Sequence, residues 1–295
     1  MTRPSRRLHF PIIVLLGATT LAHAGGRHGD DWPATDGETI EKVFSVSESG
    51  GAVLDVDNFW GSIEVVGTPG REIRVTVAKT YRAASPSELT RAKSEVTLDV
   101  TQDGDAVRLY VNGPFRCDQD IEDCWNRRRG RQYVAKMDFT VQVPERIALR
   151  LKTVMEGSVT VDNVVGDYQV RNVNGEITMR NIGGSGSVKT VNGAVKVSFR
   201  DNPRDDSEFV TVNGDVELVF ASSLAADFRF KTWNGKIYSD FPMTALPPTA
   251  PTTERTNGRF VYRADRFTGA RVGSGGPAIT LENLNGNLRV LERAT

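Results

Sequence analysis

Apolar and polar residues alternate through most of this chain, in short runs that are interrupted by glycine. The run Ala194-Val195-Lys196-Val197 is representative, with an apolar residue at every second position. Because the side chains of a β-strand point alternately to opposite faces, such a run predicts a strand with one buried face. The chain is therefore predicted to be all-β, with each strand packed against a second layer.

Five of these runs follow a tripeptide that ends in Asn-Gly, and the tripeptide is the main repeat of the sequence. Its copies are Val173-Asn174-Gly175, Val191-Asn192-Gly193, Val212-Asn213-Gly214, Trp233-Asn234-Gly235 and Leu284-Asn285-Gly286. The first four glycines are separated by 18, 21 and 21 residues. A period of this length is typical of one coil of a β-solenoid.

The repeated Asn-Gly pairs are compatible with two strand arrangements. As two-residue hairpin turns they would produce an antiparallel meander or sandwich. As corners of stacked parallel coils they would place asparagine on asparagine, so that the side-chain amides form a hydrogen-bonded ladder. Thr190, Thr211 and Thr232 also recur three residues before their glycines, which stacking explains and a hairpin does not. We therefore predict a right-handed parallel β-solenoid for residues 152–295, with the meander or sandwich as the alternative.

The region before the repeats has a different pattern. Residues 39–151 contain a tight-hairpin signal at Asp103-Gly104 and a helix start at Ser85-Pro86-Ser87-Glu88, where Ser85 is the predicted N-cap. We predict an antiparallel N-terminal portion with one short helix. Within the repeats, residues 242–257 carry four prolines and are predicted to form an exposed loop.

Residues 1–24 have the pattern of a secretory signal peptide, with a basic start, a short apolar segment and a cleavage site at Ala22-His23-Ala24. The apolar segment is too short to span a membrane. A flexible leader is predicted for residues 25–38. The mature protein is thus expected to be exported, periplasmic or secreted, with no membrane span.

The charge balance argues against nucleic acid as a partner. The chain has 37 basic and 37 acidic residues, and removal of the signal peptide takes away three arginines and no acid. The mature chain then carries about three net negative charges, whereas nucleic-acid-binding domains are usually basic.

The two cysteines, Cys117 and Cys124, are predicted to form one disulfide, because the chain is exported and the spacing is not that of a redox motif. Trp125 follows directly, and Arg127, Arg128 and Arg129 come next. These four residues are the tentative contact residues, although a charged hairpin tip would explain the same pattern. Trp233 takes a position that valine or leucine holds in other repeats, so we predict that it packs in the core.

No catalytic or metal site is expected. His28 is the one histidine beyond the signal peptide, which excludes a Ser-His-Asp or Cys-His site, and zinc-ligand spacing is absent. No cofactor is therefore predicted. A carboxylate-based polysaccharide-cleaving site is a weaker alternative, for which the relevant side chains are Asp162, Asp167, Arg171, Glu176 and Arg180.

The serial order of several motifs resembles the bacterial putative-adhesin family of β-strand repeats, a family of unknown function. These motifs are the signal peptide, Val143-Pro144-Glu145, the serial Thr-Val-Asn-Gly units and the closing Leu284-Asn285-Gly286 unit. The resemblance covers roughly residues 42–293 and implies an all-β repeat domain of the cell envelope without established catalytic residues.

These observations predict an exported, non-enzymatic β-repeat protein of the envelope. Its expected role is a binding scaffold or adhesin, with an unknown envelope protein or glycan as partner. The alternative is a structural protein that self-associates through the ends of its strand ladders.

Overall fold

The computed structural model describes residues 32–47, 51–116, 132–248, 252–257, 259–263 and 267–294. The predicted signal peptide, residues 25–31 of the predicted leader and the predicted disulfide between Cys117 and Cys124 lie outside these ranges. Trp125 and the arginines at 127–129 also lie outside them. The end of the predicted leader is not a flexible segment, because the first strand begins at Ala34.

The first part of the chain contains seven strands and a helix within the described ranges. They are β1 (Ala34–Ser45), β2 (Val53–Asp57), β3 (Ile63–Thr68), β4 (Glu72–Ala83), α1 (Pro86–Glu95), β5 (Thr97–Asp103), β6 (Ala106–Asn112) and β7 (Tyr133–Pro144). The predicted helix start is confirmed, because Ser85 is extended and its hydroxyl accepts a hydrogen bond from the Glu88 amide at 3.3 Å.

The repeats follow as shorter strands. They are β8 (Ala148–Lys152), β9 (Val159–Asp162), β10 (Tyr168–Arg171), β11 (Ile177–Ile182), β12 (Gly186–Lys189), β13 (Val195–Phe199), β14 (Ser207–Val210), β15 (Val216–Phe220), β16 (Ala226–Asn234) and β17 (Ile237–Ser239). The chain continues with β18 (Thr244–Ala245), β19 (Thr252–Thr256), β20 (Arg259–Arg263), β21 (Thr268–Val272), β22 (Ala278–Asn285) and β23 (Leu288–Glu292). The region predicted as a Pro-rich loop therefore contains β18 and the antiparallel strand β19, which pairs with β20.

Two large mixed sheets make up the fold. Sheet A has the strand order β1-β4-β7-β3-β9-β11-β13-β15-β23-β17, and sheet B has the order β18-β21-β16-β22-β14-β12-β10-β8-β2-β6-β5. From β8 to β15, consecutive strands alternate between the sheets, and each strand from β8 to β13 pairs in parallel with the strand two positions later. The repeats are therefore not hairpins, and the antiparallel meander is wrong for them. The two facing layers fit the sandwich alternative.

Antiparallel pairs occur in the N-terminal region, as predicted, but they do not cover all of it, and other antiparallel pairs join β16 to β21, β18 to β21 and β19 to β20. β1, β4 and β7 are antiparallel neighbours in sheet A, and β5 and β6 are antiparallel in sheet B. By contrast, β2 and β3 pair in parallel with β8 and β9. β2 and β3, with the Phe59-Trp60-Gly61 corner between them, thus form a first coil of the repeat.

The last coil in the sequence is not the last coil in space. β22 lies between β14 and β16 in sheet B, and β23 lies between β15 and β17 in sheet A. The coil formed by β22 and β23 is thus inserted between the coil of β14 and β15 and the coil of β16 and β17, although it comes last in the sequence. β17 is therefore the edge strand of sheet A.

The core lies between the two sheets and is formed by the alternate apolar positions. Ile177, Val195, Val216 and Leu288 stand opposite one another in register in sheet A, and all are fully buried. Burial of one such side chain contributes about 1.5–3 kcal/mol. Ile237 continues this row on β17 but is 39% exposed, because β17 is an edge strand.

Candidate functional site

The five repeated asparagines form one ladder along a corner of the stack. Each side-chain amide donates to the Oδ1 atom of the next asparagine, from Asn192 to Asn174, Asn213 to Asn192, Asn285 to Asn213, and Asn234 to Asn285. The distances are between 2.8 and 2.9 Å. At the start of the ladder, the Asn174 amide donates to the Val154 carbonyl oxygen at 3.3 Å. The predicted stacking of asparagine on asparagine is confirmed.

A second column, buried except at Thr232, lies three residues before each of the five glycines. Thr190, Thr211 and Thr232 donate to the carbonyl oxygens of Gly175, Gly193 and Gly286 in the adjacent coils. Asn172 and Asn283 occupy the same column and donate to Gly157 and Gly214. Each hydrogen bond satisfies a turn carbonyl beside the core, where an unpaired acceptor would be costly.

The turn glycines are required because the coils approach each other closely. A Cβ atom on Gly193 would lie 2.3 Å from the carbonyl oxygen of Gly175, and one on Gly214 would lie 2.1 Å from that of Gly193. Both distances are far below normal contact. The glycines therefore let the asparagine and threonine columns stack at strand spacing.

The residue before each asparagine forms an apolar row on the outside of the same corner. Val191, Leu284 and Trp233 are 37%, 43% and 65% exposed. The prediction that Trp233 packs in the core was therefore wrong. Val173 and Val212 in the same row are half-buried, so the row lies at the surface and Trp233 is its most exposed member.

At the other end of this corner, the row leads into an aromatic pocket of about 250 Å³. The pocket is lined by Phe59, Trp60, Val96, Pro114, Phe115, Tyr133, Val134, Ala135 and Met155. Trp60 and Met155 are bridge partners at the level that asparagine holds in later coils. The first two coils thus replace the polar ladder by large apolar side chains.

The rings of the pocket are held by specific contacts. The Phe59 and Phe115 rings stack with their centroids 4.2 Å apart and their planes 15° apart. The Trp60 indole N–H donates to Oε2 of Glu156 at 3.3 Å. Glu156 lies between Met155 and Gly157, which makes this turn one residue longer than the Asn-Gly turns, and its φ is 43°. The longer turn thus supplies the carboxylate that holds Trp60.

Arg116 fixes the chain at the rim of the pocket. Its guanidinium donates to Oδ1 and to the carbonyl oxygen of Asp57, both at 2.8 Å, and to the carbonyl oxygen of Val111 at 2.9 Å. Its charged group also lies 4.5 Å from the centre of the Tyr110 ring. This partly buried arginine, with three hydrogen bonds, holds Phe115 in place next to Phe59.

The structure does not bring together the residues considered for polysaccharide cleavage. Asp162 and Arg180 are opposite each other on β9 and β11 in sheet A, and Glu176 directly precedes β11. Asp167 precedes β10 and Arg171 ends it, in sheet B. A hydrogen bond from Thr178 and the nearby Lys196 lower the pKa of Glu176, which keeps it ionised rather than suited to a general acid.

The pocket was not predicted from the sequence. Phe59 and Trp60 at a degenerate repeat were a usable signal, because aromatic side chains replace Val-Asn there. Phe115 and Tyr133 have no such signal, since they belong to no repeat and reach the pocket only through sheet pairing. Within the described residues, no helix is long and apolar enough to cross a membrane.

No family model matches the sequence, and no curated protein matches it. Among solved structures, the chain is similar to a putative cell adhesion protein from Clostridium sporogenes, with 9% identity and a TM-score of 0.38 over 87% of this chain and 100% of that one. It is also similar to a putative adhesin from Bacteroides fragilis, with 12% identity and a TM-score of 0.35 over 87% and 97% of the two chains. A putative adhesin from Parabacteroides distasonis has 11% identity and a TM-score of 0.26 over 88% and 98%.

Proposed function

We propose that this protein is an exported, non-enzymatic binding module of the cell envelope, of the adhesin type. The observation that carries the proposal is the aromatic pocket, in which stacked rings line an apolar surface at one end of a rigid pair of sheets. Pockets of this kind, with few polar groups and several aromatic side chains, are typical of binding sites. Aromatic side chains also supply much of the binding energy in protein interfaces.

The repeat region acts in this proposal as a rigid support. We infer that residues 152–295 form a flattened, two-sheet version of the predicted solenoid, because successive coils pair in parallel and share the asparagine ladder. The segment that carries the predicted disulfide and the contact residues Trp125 and Arg127–Arg129 begins directly after Arg116. In this proposal its residues extend the recognition surface beyond the pocket.

Binding of the purified full-length protein to an array of glycans and envelope proteins tests the proposal. Phe115→Ala is expected to weaken binding at least tenfold, because it removes the ring that stacks on Phe59. Trp233→Ala is the matched control, since it removes an aromatic ring exposed far along the corner. Equal binding by Phe115→Ala and wild type would overturn the assignment of the pocket. New reducing ends after incubation with a uronate polymer would contradict the non-enzymatic role.

The free edge of β17 favours a second candidate function, self-association through an added strand. Lys236 and Asp240 make their backbone hydrogen bonds to β23, so the N–H and C=O groups of Ile237 and Ser239 point to the open edge. Sheet B extends two strands beyond β16, through β21 and β18, whereas sheet A ends at β17. One added strand next to β17 would therefore lie opposite the existing strands of sheet B. Ile237→Pro removes one outward N–H and would abolish concentration-dependent association in sedimentation experiments. A monomer at all concentrations would eliminate this candidate.

A further inference from the structure

The outer face of sheet B carries a compact group of basic residues on three neighbouring strands. Arg150 and Lys152 lie on β8, Gln169 and Arg171 on β10, and Ser187 and Lys189 on β12. We call these six residues the basic grid. In register, Arg150, Gln169 and Ser187 form one row, and Lys152, Arg171 and Lys189 form the other. Neighbouring strands are about 4.8 Å apart, and the two rows are about 6.6 Å apart.

The second row places three cations directly opposite one another, which stability alone does not favour. Like charges on adjacent strands repel each other. Lys152 is offset by Asp57 at 3.5 Å, and Lys189 by Glu208 at 2.6 Å. Arg171 lies between them, and the part of the chain that the structure describes places no carboxylate within 4 Å of it. The centre of the row is therefore an exposed guanidinium flanked by two ammonium groups.

Arg150 in the first row also has no ion pair within 4 Å among the described residues. The acid opposite it in register is Asp55, but the carboxylate of Asp55 lies 3.9 Å from Nε of Arg108. The two unpaired guanidinium groups, Arg150 and Arg171, are diagonal neighbours on β8 and β10. Gln169 and Ser187 complete the grid with neutral hydrogen-bonding groups, so the grid itself contains no acid.

The corresponding face of sheet A shows that this arrangement is not a general feature of the fold. There Lys196 pairs with Glu176 at 3.0 Å, and Arg289 pairs with Asp215. Glu217 lies between Lys196 and Arg289 in register. Opposite charges thus alternate on this part of sheet A, whereas like charges are stacked on sheet B.

We propose that the basic grid is a binding surface for an acidic polysaccharide. Guanidinium groups bind carboxylates and other oxyanions in a bidentate manner, and the two that are unpaired here are free to do so. A linear polymer that crosses the strands would bring successive anionic groups over Arg150 and Arg171. Its hydroxyl groups would meet Gln169 and Ser187.

Two features favour a glycan over nucleic acid. The grid contains no aromatic side chain on which bases could stack. It is also bounded by Asp55 and Asp57 on one side and by Glu208 on the other, which limits it to three strands. A phosphate backbone usually requires a longer basic surface. None of the six grid residues lines the aromatic pocket, so this inference goes beyond the proposed function and does not depend on it.

Calorimetric titration of the full-length protein with polygalacturonate at low salt tests the proposal, with neutral dextran and a DNA duplex of matched length in parallel. Polygalacturonate is expected to bind, with an affinity that falls steeply between 50 and 200 mM salt, because salt screens exposed charges on the order of 10 Å apart. Arg171→Gln should weaken binding about tenfold, and Arg150→Gln combined with Arg171→Gln should weaken it further.

Arg180→Gln is the matched control, because Arg180 is an exposed arginine of the opposite sheet with no carboxylate within 4 Å among the described residues. Its binding should equal that of wild type. Arg171→Gln should also melt at the same temperature as wild type or slightly above it, because it relieves repulsion within the row. The proposal is overturned by no binding of polygalacturonate, by tighter binding of DNA, or by equal losses in Arg171→Gln and Arg180→Gln. Variants of the aromatic pocket should leave this binding unchanged, so failure here and failure of the proposed function are distinguishable.

Discussion

The side-chain amide of Asn285 donates a hydrogen bond to Oδ1 of Asn213 at 2.8 Å, although 72 residues separate them in sequence. Asn234, which follows Asn213 by only 21 residues, lies one coil further away and donates to Asn285 instead. The ladder is therefore continuous in space but not in sequence order. Its continuity makes the position of each asparagine in the stack testable.

Asn192→Ala is expected to lower the free energy of unfolding by about 1–2 kcal/mol, because it removes one ladder bond that Asn192 donates and one that it accepts. Asn234→Ala at the end of the ladder removes one bond and should cost about half as much. Urea unfolding of both variants measures the difference. Equal losses would show that the ladder does not act as a chain of hydrogen bonds.

Gly193→Ala is expected to be strongly destabilising, by about 3 kcal/mol or more, because the added Cβ would lie 2.3 Å from the Gly175 carbonyl oxygen. Gly51→Ala is the control, since a Cβ at Gly51 meets no atom within 4 Å. Thermal melting followed by circular dichroism compares the two. A Gly193→Ala protein as stable as Gly51→Ala would contradict the close stacking of the corners.

Trp233→Ala should change the free energy of unfolding by less than about 1 kcal/mol, because the indole is mostly exposed. Phe228→Ala, on the strand that precedes the same turn, should cost about 3–5 kcal/mol, because its ring is fully buried and packs between Phe220 and Phe230. Chemical denaturation of both variants checks this. A large loss of unfolding free energy in Trp233→Ala would instead indicate that this side chain packs in the core.

Acid should weaken the contact between β16 and β21. Two hydrogen bonds from Arg271, at 2.6 and 2.7 Å, hold the pKa of Asp227 below its usual value. Because the folded-state pKa is the lower one, this stabilisation is present above about pH 4 and is lost as the pH falls through the folded value. Melting temperatures measured from pH 6 to pH 2 should fall less steeply for Asp227→Asn than for wild type. Parallel curves would contradict the linkage.

Much of the fold could be predicted from local pattern. Alternation in runs such as Ala194 to Val197 predicted strands with one buried face, and the fixed spacing of Asn192 and Asn213 predicted their stacking. The capping pattern at Ser85 predicted the helix start. These features depend on neighbours within a few residues, or on identical side chains recurring at one level of a stack.

The tertiary structure alone decided which coil lies next to which. No local signal distinguishes Asn285 from Asn234 as the neighbour of Asn213, because both follow the same turn pattern and both can accept and donate in the ladder. The choice depends on where β16 and β22 pack as whole strands. The exposure of Trp233 also depends on this packing, because the alternation of apolar and polar residues in a strand does not show which side of the following corner faces solvent.

The aromatic pocket and the basic grid likewise could not be predicted from local sequence pattern. The sequence by itself determined an all-β chain with stacked repeats, and it limits the chain to one histidine beyond the predicted signal peptide. Only the tertiary structure brought Phe115 onto Phe59 and placed Arg171 between Lys152 and Lys189. Those contacts join residues 18 to 56 positions apart in sequence. The sequence alone could not predict them, because strand register is a property of the assembled sheets rather than of any one strand.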